Sequence, residues 1–399
     1  MPPTVDAASG PGKRLHYGCI AGHLSNRSWF PKDHPGARGE GVPVYDVAVI
    51  GAGPAGATLA RLIADRWRVL LVDRRPLTAG GPQPSHTKCC GGLLAPDAQR
   101  MLSVLGLGLP LAVLEEPQVF LVRAIDLQRR VERFYQRHYI NVNREAFDCW
   151  LVSQVPPGAD VRLGCRLVSC ETDGGGFRMT FNQAGQTCSE RARVVIGADG
   201  ANSRVRRLAV RPRVRPRAYA AIQEWFEADD PLPYYSAIFD PDVTDYYSWT
   251  ILKGDCLVLG SALPAGRGCR GRFDLLKRKV GEFGLELGRP VKRETGLLLR
   301  PTGPGQICVG SSGIGLIGEA AGWISPSSAE GLSYAFRSAI AMAEALREGL
   351  DGFLKRYTLR TRALRGNILL KALKSRFIYG PWLRGVIMRS GLGSVRVEH

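Results

Sequence analysis

"VYDVAVIGAGPAGATLARLIADRWRVLLVDRR", residues 44–75, decides how this chain folds. Val44 to Ile50 is a short apolar run rich in β-branched residues, which reads as a buried strand. Gly51, Gly53 and Gly56 follow directly as G-x-G-x-x-G, with Pro54 and Ala55 inside the turn, and Ala57 to Trp67 has the composition of a helix. In such a turn the first glycine permits the tight bend and the second lets a pyrophosphate approach the backbone. The third lets the helix pack on the strand, its N-terminus toward the phosphates. Arg68 to Val72 reads as a second strand, and it ends at Asp73, 22 residues after Gly51, with Arg74 next. An acid at that distance accepts hydrogen bonds from an adenosine ribose. Strand, glycines, helix, strand and acid in this order define a dinucleotide site.

The chain of 399 residues is long enough for two or more domains. No apolar run reaches the ~18 residues needed to span a bilayer, and the N-terminus shows no charged-then-apolar signal pattern. Residues 1–42, rich in Pro and Gly, are expected to form a loose extension. The ten cysteines have neither disulfide-module nor zinc spacing, so no metal site is expected and a reducing cytosol is the simplest setting.

Charge is the unusual feature: 54 Lys and Arg against 36 Asp and Glu, a net of +18. Such an excess favours an anionic partner. From Phe353 to His399 eleven Lys or Arg stand against one acid, Glu398, interleaved with Leu369, Leu370, Leu373, Phe377, Ile378, Trp382, Leu383, Val386, Ile387 and Met388. Two readings stay open here. One is a pair of helices lying on an anionic membrane surface, at the inner face of the cytoplasmic membrane. The other is a C-terminal helical segment packed on the core with its charges in water. Arg211 to Arg217 forms a second cluster, read as a solvated connector. Neither cluster matches a nucleic-acid module, so nucleic acid is not expected as a partner.

Two later segments separate a flavin from a nicotinamide. "RARVVIGADGANSRVRRLAV" (191–210) holds a strand at Val194 to Ile196 and a turn with Asp199 and Gly200. "GIGLIGEAAGWISPSSAEGLSYAFRSAIAMAEAL" (313–346) holds a short strand, a small-residue turn from Gly318 and Glu319 to Gly322, and a long helix opening near Gly331 and Leu332. Small residues let a helix N-terminus approach a ligand, where its dipole favours anionic atoms such as N1 of a reduced flavin. "YINVNREAFDCWL" (139–151) adds Arg144, Phe147, Asp148 and Leu151 at helical spacing on one face.

The segments 44–75, 191–210 and 313–346, in that order, resemble the FAD-binding signatures of the para-hydroxybenzoate-hydroxylase-type flavoproteins. The resemblance implies an α/β chain, a Rossmann-like FAD-binding domain interleaved with a β-sheet substrate domain. Its expected extents are 43–165, 191–210 and 296–350 for the FAD domain, 166–190 and 211–295 for the substrate domain, and 351–399 for basic helices. It also places Arg144 near the cofactor. Glu319 departs from the Asp usual there, keeping an acceptor for a ribityl hydroxyl at the end of one more methylene.

Within that superfamily "HTKCCGGLLAPDAQRML" (86–102) and "YYSWTILKGDCLVLGSAL" (246–263) resemble the geranylgeranyl reductase family, nearest its bacterial CbrA-type flavoproteins. There a Cys-Gly-Gly segment, here Cys90, Gly91 and Gly92, lies by the flavin, and a Tyr-x-Trp-x-Phe-Pro strand lines a lipid cavity. Tyr247, Trp249 and Lys253 alternate on one strand face, while Ile251-Leu252 replaces Phe-Pro and so alters cavity shape. The implied activity is reduction of an isoprenoid lipid double bond, with Cys90 or Tyr247 as proton donor and Trp249 and Lys253 on the substrate. Free Cys on a core and Tyr or Trp in packing are the competing readings. With one G-x-G-x-x-G unit, NAD(P)H is expected only as a transient reductant, or a separate reductase or ferredoxin supplies electrons. Two other functions stay open: a monooxygenase or halogenase acting on a small organic molecule, and a non-catalytic flavin- or lipid-binding protein.

Overall fold

A computed structural model describes residues 45–77, 88–209, 214–228 and 234–397. The expected extension at 1–42 lies outside them, as does part of the Arg211–Arg217 cluster.

Two eight-stranded sheets carry the fold. The opening strand, Tyr45–Ile50, lies at the centre of the first, between Val69–Asp73 and Gln186–Gly197, and pairs parallel with both. Ile314–Leu316 and Asp160–Leu163 extend the sheet on either side, also in parallel. Strands buried on both faces read as continuous apolar runs, and the buried pattern of Val69–Asp73 follows that rule. The helix after the glycines, Pro54–Ile63, begins three residues before the helical run read from composition. Its proline sits at the first helical turn, where no backbone donor is needed. It packs along the long helix Leu332–Arg347 over one face of this sheet.

The second sheet runs in the order Pro290–Arg300, Arg217–Glu227, Cys256–Pro264, Ser248–Lys253, Tyr234–Phe239, Val119–Asp126, Val131–Asn141 and Leu93–Leu94. All its pairs are antiparallel except Tyr234–Phe239 with Val119–Asp126. One face packs on the helix Cys269–Glu282. The other carries an aromatic cluster that includes Tyr219, Tyr246, Tyr247 and Trp249.

Residues 166–190, expected in the substrate domain, belong to the first sheet. Cys165–Asp173 and Gly176–Gln183 form a hairpin that continues antiparallel into Gln186–Gly197. Short polar turns joining adjacent strands make a meander, and a meander stays in the sheet of its last strand. Conversely, Val119–Asp126 and Val131–Asn141 fall inside the expected FAD segment 43–165 but pair in the second sheet.

Candidate functional site

The three glycines of the first turn differ in what surrounds them. Gly51 has φ +110°, and a Cβ there would lie 2.5 Å from the Ala198 carbonyl oxygen; a Cβ on Gly56 would collide with the Gly51 carbonyl. Both positions are closed by protein. Gly53 has ordinary extended backbone, φ −72°, and a Cβ there would meet nothing nearer than the Arg75 guanidinium at 3.8 Å. That open side is where a pyrophosphate would approach the backbone.

The other signature segments converge on this turn. Ala198 and Asp199 back Gly51, while the missing Cβ of Gly318 faces Ala55 at 3.0 Å and Ala335 of the long helix at 3.9 Å. Asp199 Oδ2 accepts the Arg204 and Val205 N–H groups and so caps the short helix Arg204–Ala209. Its buried Oδ1 has no hydrogen-bond partner among the described residues. Burial raises this carboxyl against the Ser203, Val205 and Arg204 bonds that lower it. Gly200, φ +75°, makes the turn beside it. An unpartnered buried acceptor costs stability unless a donor arrives, so the open Gly53 face and this acceptor together fit an FAD. Gly51, Gly53, Pro54, Ala55, Gly56 and Asp199 would hold its phosphates and sugar. Gly318, Gly331 and Leu332 supply the long helix's N-terminal approach.

Glu319 Oε1 accepts the Leu299 N–H at 3.0 Å, so it ties this turn to the second sheet. Glu330, not singled out in the sequence, accepts the Ser333 N–H at 2.7 Å and caps the long helix from one residue before Gly331. Burial raises its carboxyl against the Ser333 bonds. Only a Glu-x-x-Ser spacing before the helix signals it.

A chain of alternating charges leads away from the dinucleotide end. Asp73 accepts the Ala52 N–H at 2.8 Å and pairs with Arg75 at 3.1 Å. Arg75 reaches Asp148 at 2.7 Å, Asp148 pairs with Arg144 at 2.9 Å, and Arg144 donates to the Cys90 sulfur at 3.2 Å. Arg74, named from sequence as a cofactor residue, is exposed and takes no part in this chain. Arg75, in the bend after the strand, turns in because its backbone N–H and guanidinium both bond the Asp73 carboxylate. Asn143 caps the Arg144 helix, its side chain accepting the Glu145 and Ala146 N–H groups, which fixes Arg144 and Asp148 one turn apart. Burial alone would raise the Cys90 thiol; Arg144, Lys88 and the Gly92 N–H outweigh it and bring the pKa below the ordinary 9.0. Asp148 is likewise held low: burial raises it, and Arg144 and Arg75 overcome that.

The adjacent cysteine behaves differently. Cys89 turns toward the second sheet, its sulfur 3.7 Å from the Ala221 carbonyl and its Cβ packed on Gly296. Burial pushes that thiol far above the usual range. Neighbouring residues thus split between the ionic chain and the aromatic cluster.

The odd-numbered face of Ser248–Lys253 spans the region between the two glycine turns. At one end the Tyr247 hydroxyl donates to the Ser328 carbonyl at 2.9 Å, and burial holds this phenol neutral. Tyr246 donates to Ser325 and accepts from Ala329, Tyr379 donates to Ser327, and Arg300 donates to Pro326. Four side chains therefore clasp the loop that enters the long helix. Trp249 donates through Nε1 to Gln223 at 3.1 Å, and its ring lies tilted at 50° to that of Tyr247, centroids 5.5 Å apart. Ile251 sits where a Cβ on Gly91 would be, 2.5 Å away. At the far end Lys253 donates to Val142 at 2.8 Å, to Gly92 at 3.4 Å and to Asn141, so its three donors tie the Cys-Gly-Gly turn to the end of the strand Val131–Asn141. Burial lowers this ammonium to about 8, against Cys90 and Glu115, which raise it. Cys90 and Tyr247 thus lie at opposite ends of one face, each engaged with a different turn.

No group of His, Cys, Asp or Glu among the described residues could hold a metal ion. Fold and site together define an FAD-binding flavoprotein of the para-hydroxybenzoate-hydroxylase type, the fold of FAD-dependent oxidoreductases and monooxygenases. A family model described as an FAD binding domain matches residues 44–223. Protein CbrA of Escherichia coli strain K12 is 41% identical over 353 residues, covering 88% of this chain and 98% of that protein. Protein CbrA of Shigella sonnei is 42% identical over 355 residues, with the same shares. This chain belongs to the CbrA family.

Among solved structures, a geranylgeranyl bacteriochlorophyll reductase-like protein from Thermoplasma acidophilum superposes with a TM-score of 0.69 at 19% identity, covering 84% of this chain and 87% of that one. The flavin-dependent brominase Bmp2 gives 0.67 at 19%, over 88% and 93%. PqsL, a probable FAD-dependent monooxygenase from Pseudomonas aeruginosa, gives 0.61 at 16%, over 88% and 100%. At such identities the likeness is one of fold.

Proposed function

We propose that this flavoprotein reduces double bonds of a polyprenyl lipid. The reading rests on one observation above all: the face of Tyr247, Trp249 and Ile251 lies in an apolar aromatic cluster between the loop entering the long helix and the Cys-Gly-Gly turn. An unactivated alkene has no polar handle, so the apolar surface must supply its orientation. Bound and reduced, FAD supplies the hydride such a reduction needs. The proton is assigned to Cys90, whose thiol lies in the Cys-Gly-Gly turn and whose pKa Arg144, Lys88 and the Gly92 N–H bring below the ordinary 9.0 against burial. Arg144 and the Gly92 N–H hold that sulfur in place and stabilise the thiolate left behind. Tyr247, its hydroxyl committed to Ser328, positions the loop and is the second donor to be tested. Electrons come from NAD(P)H or from a separate reductase or ferredoxin.

Mass spectrometry of lipids that co-purify with the protein tests the reading. A polyprenyl species differing from bulk lipid by pairs of hydrogens supports it. Rapid oxygen consumption with NADPH and no lipid would instead favour the monooxygenase reading, which the brominase and PqsL folds also fit.

A further inference from the structure

We infer that the outward face of the last two helices is a seat for an anionic lipid bilayer. The sequence left two readings for this segment; the structure divides the residues between them. Helix Arg362–Tyr379 buries Leu364, Ile368, Ala372 and Ser375 at spacings of four, four and three. Its opposite side presents Leu369, Leu370, Leu373 and Phe377 to solvent, Leu370 66% and Phe377 53% exposed. The next helix, Pro381–Ser390, buries Arg384 and Met388 and exposes Val386, Ile387 and Trp382, the last 72% exposed. Exposed Arg362, Lys374, Arg376 and Arg389 flank these residues, and no Asp or Glu occurs between Asp351 and Glu398.

This face is held in place. Arg384 makes a buried 2.9 Å ion pair with Asp126 of the second sheet, and the Val395 N–H donates to the Phe134 carbonyl at 2.8 Å. A preformed apolar strip of this size is unusual on a monomer in water. The absence of acids selects its occupant. A second copy would oppose like charges, and a nucleic acid would meet mostly aliphatic side chains, with Phe377 and Trp382 the aromatics among them, where it wants a row of stacking platforms. A bilayer accepts aliphatic and Trp side chains at its interface, and its anionic headgroups meet the flanking cations. None of the described helices is long and apolar enough to cross a membrane, so the contact is lateral. The buried flank of Arg362–Tyr379 walls a cleft of about 410 Å³ with Ser375 and Tyr379, facing Arg217, Asp245 and Arg300. Tyr379 also packs on Phe239 and Tyr246 of the aromatic cluster, so the seat adjoins the proposed substrate region.

The inference does not depend on the lipid-reductase reading, because its test needs no turnover. Full-length flavin-loaded protein is floated with phosphatidylcholine vesicles with and without phosphatidylglycerol. The wild type should float with the anionic vesicles and far less with the neutral ones. The triple variant Leu370→Ser, Phe377→Ser, Trp382→Ser changes only exposed side chains and should keep its flavin. Its partitioning should fall on the order of 10²-fold. Lys374→Ala with Arg389→Ala should lose about fivefold per charge. Equal flotation of wild type and triple variant overturns the inference, as does failure of the wild type to bind anionic vesicles. Light scattering that finds a dimer abolished by the triple variant also overturns it, assigning the face to a second copy.

Discussion

Gly53→Val should separate folding from cofactor binding. Its backbone is extended, which valine adopts readily, and the added Cβ has 3.8 Å to its nearest neighbour. Glycine makes no side-chain cap on this helix, so none is lost. The small helix-start penalty of valine roughly offsets the ~0.4–1 kcal/mol gained by restricting the unfolded chain. Stability should therefore change by less than about 1 kcal/mol. The dinucleotide meets a different situation. A branched side chain on the open face keeps the phosphates from the backbone N–H groups, forfeiting about two charge-assisted hydrogen bonds at ~1.5–3 kcal/mol each. The sum, ~3–6 kcal/mol, weakens FAD binding on the order of 10²–10⁴-fold. The assay is flavin absorbance per mole of purified protein beside a thermal melt followed by circular dichroism. Wild-type flavin content in the variant would refute the placement of the pyrophosphate. Loss of the fold would refute the open space at Gly53. Gly51→Ala is the contrast: at φ +110° against the Ala198 carbonyl it should lose flavin and fold together.

Other consequences follow from the ionic chain and the clasped loop. Arg144→Met removes the chief opponent of burial at Cys90, so the thiolate absorbance lost on Cys90→Ser should titrate at higher pH in the Arg144→Met background; an unmoved titration would contradict the assignment. Lys253 is depressed to about 8 from 10.5, so between those values the unfolded chain binds more protons and stability should rise with pH, a slope that Lys253→Met removes in denaturant titrations. Equal slopes in both proteins would place that ammonium elsewhere than beneath the turn. Arg384→Met leaves Asp126 buried with Arg129 alone, 3.3 Å away; it should cost about 3 kcal/mol and expose the C-terminal helices to protease, and an unchanged digestion pattern would deny the anchor.

The dinucleotide half was legible because its information is local. Strand, glycine spacing and acid lie within thirty-odd residues, and the converging turns each carry their own small-residue pattern. Arg74 and Arg75 are indistinguishable by type, and only the bonds that Arg75 makes to Asp73 and Asp148 show which of them joins the ionic chain. The side taken by each cysteine was likewise invisible, since it depends on Gly296 and Ala221 on one hand and on Arg144 on the other, all far along the chain. The clasp of the 325–329 loop by Tyr246, Tyr247, Tyr379 and Arg300 joins segments tens of residues apart and leaves no periodic trace. For the same reason Lys253 read as a substrate residue, although its three acceptors are Gly92, Asn141 and Val142 of the protein itself. The C-terminal helices show the limit of composition: Leu364 and Ile368 pack inside while Leu369, Leu370 and Phe377 face out, and residue type alone does not separate them.

The central claim is that Cys90 serves a lipid-reducing flavin site, and anaerobic reoxidation tests it most directly. Holoprotein is reduced with dithionite, mixed with a polyprenyl lipid in detergent, and followed by flavin absorbance, with the lipid product weighed afterwards. The account predicts reoxidation coupled to a gain of one pair of hydrogens per flavin. Cys90→Ala should slow it on the order of 10²-fold, as loss of a positioned acid does, while Cys89→Ala changes little. Reduction by dithionite should be the same in all three proteins. A wild-type flavin that stays reduced with lipid but reoxidises rapidly with oxygen and a small organic acceptor would contradict the account.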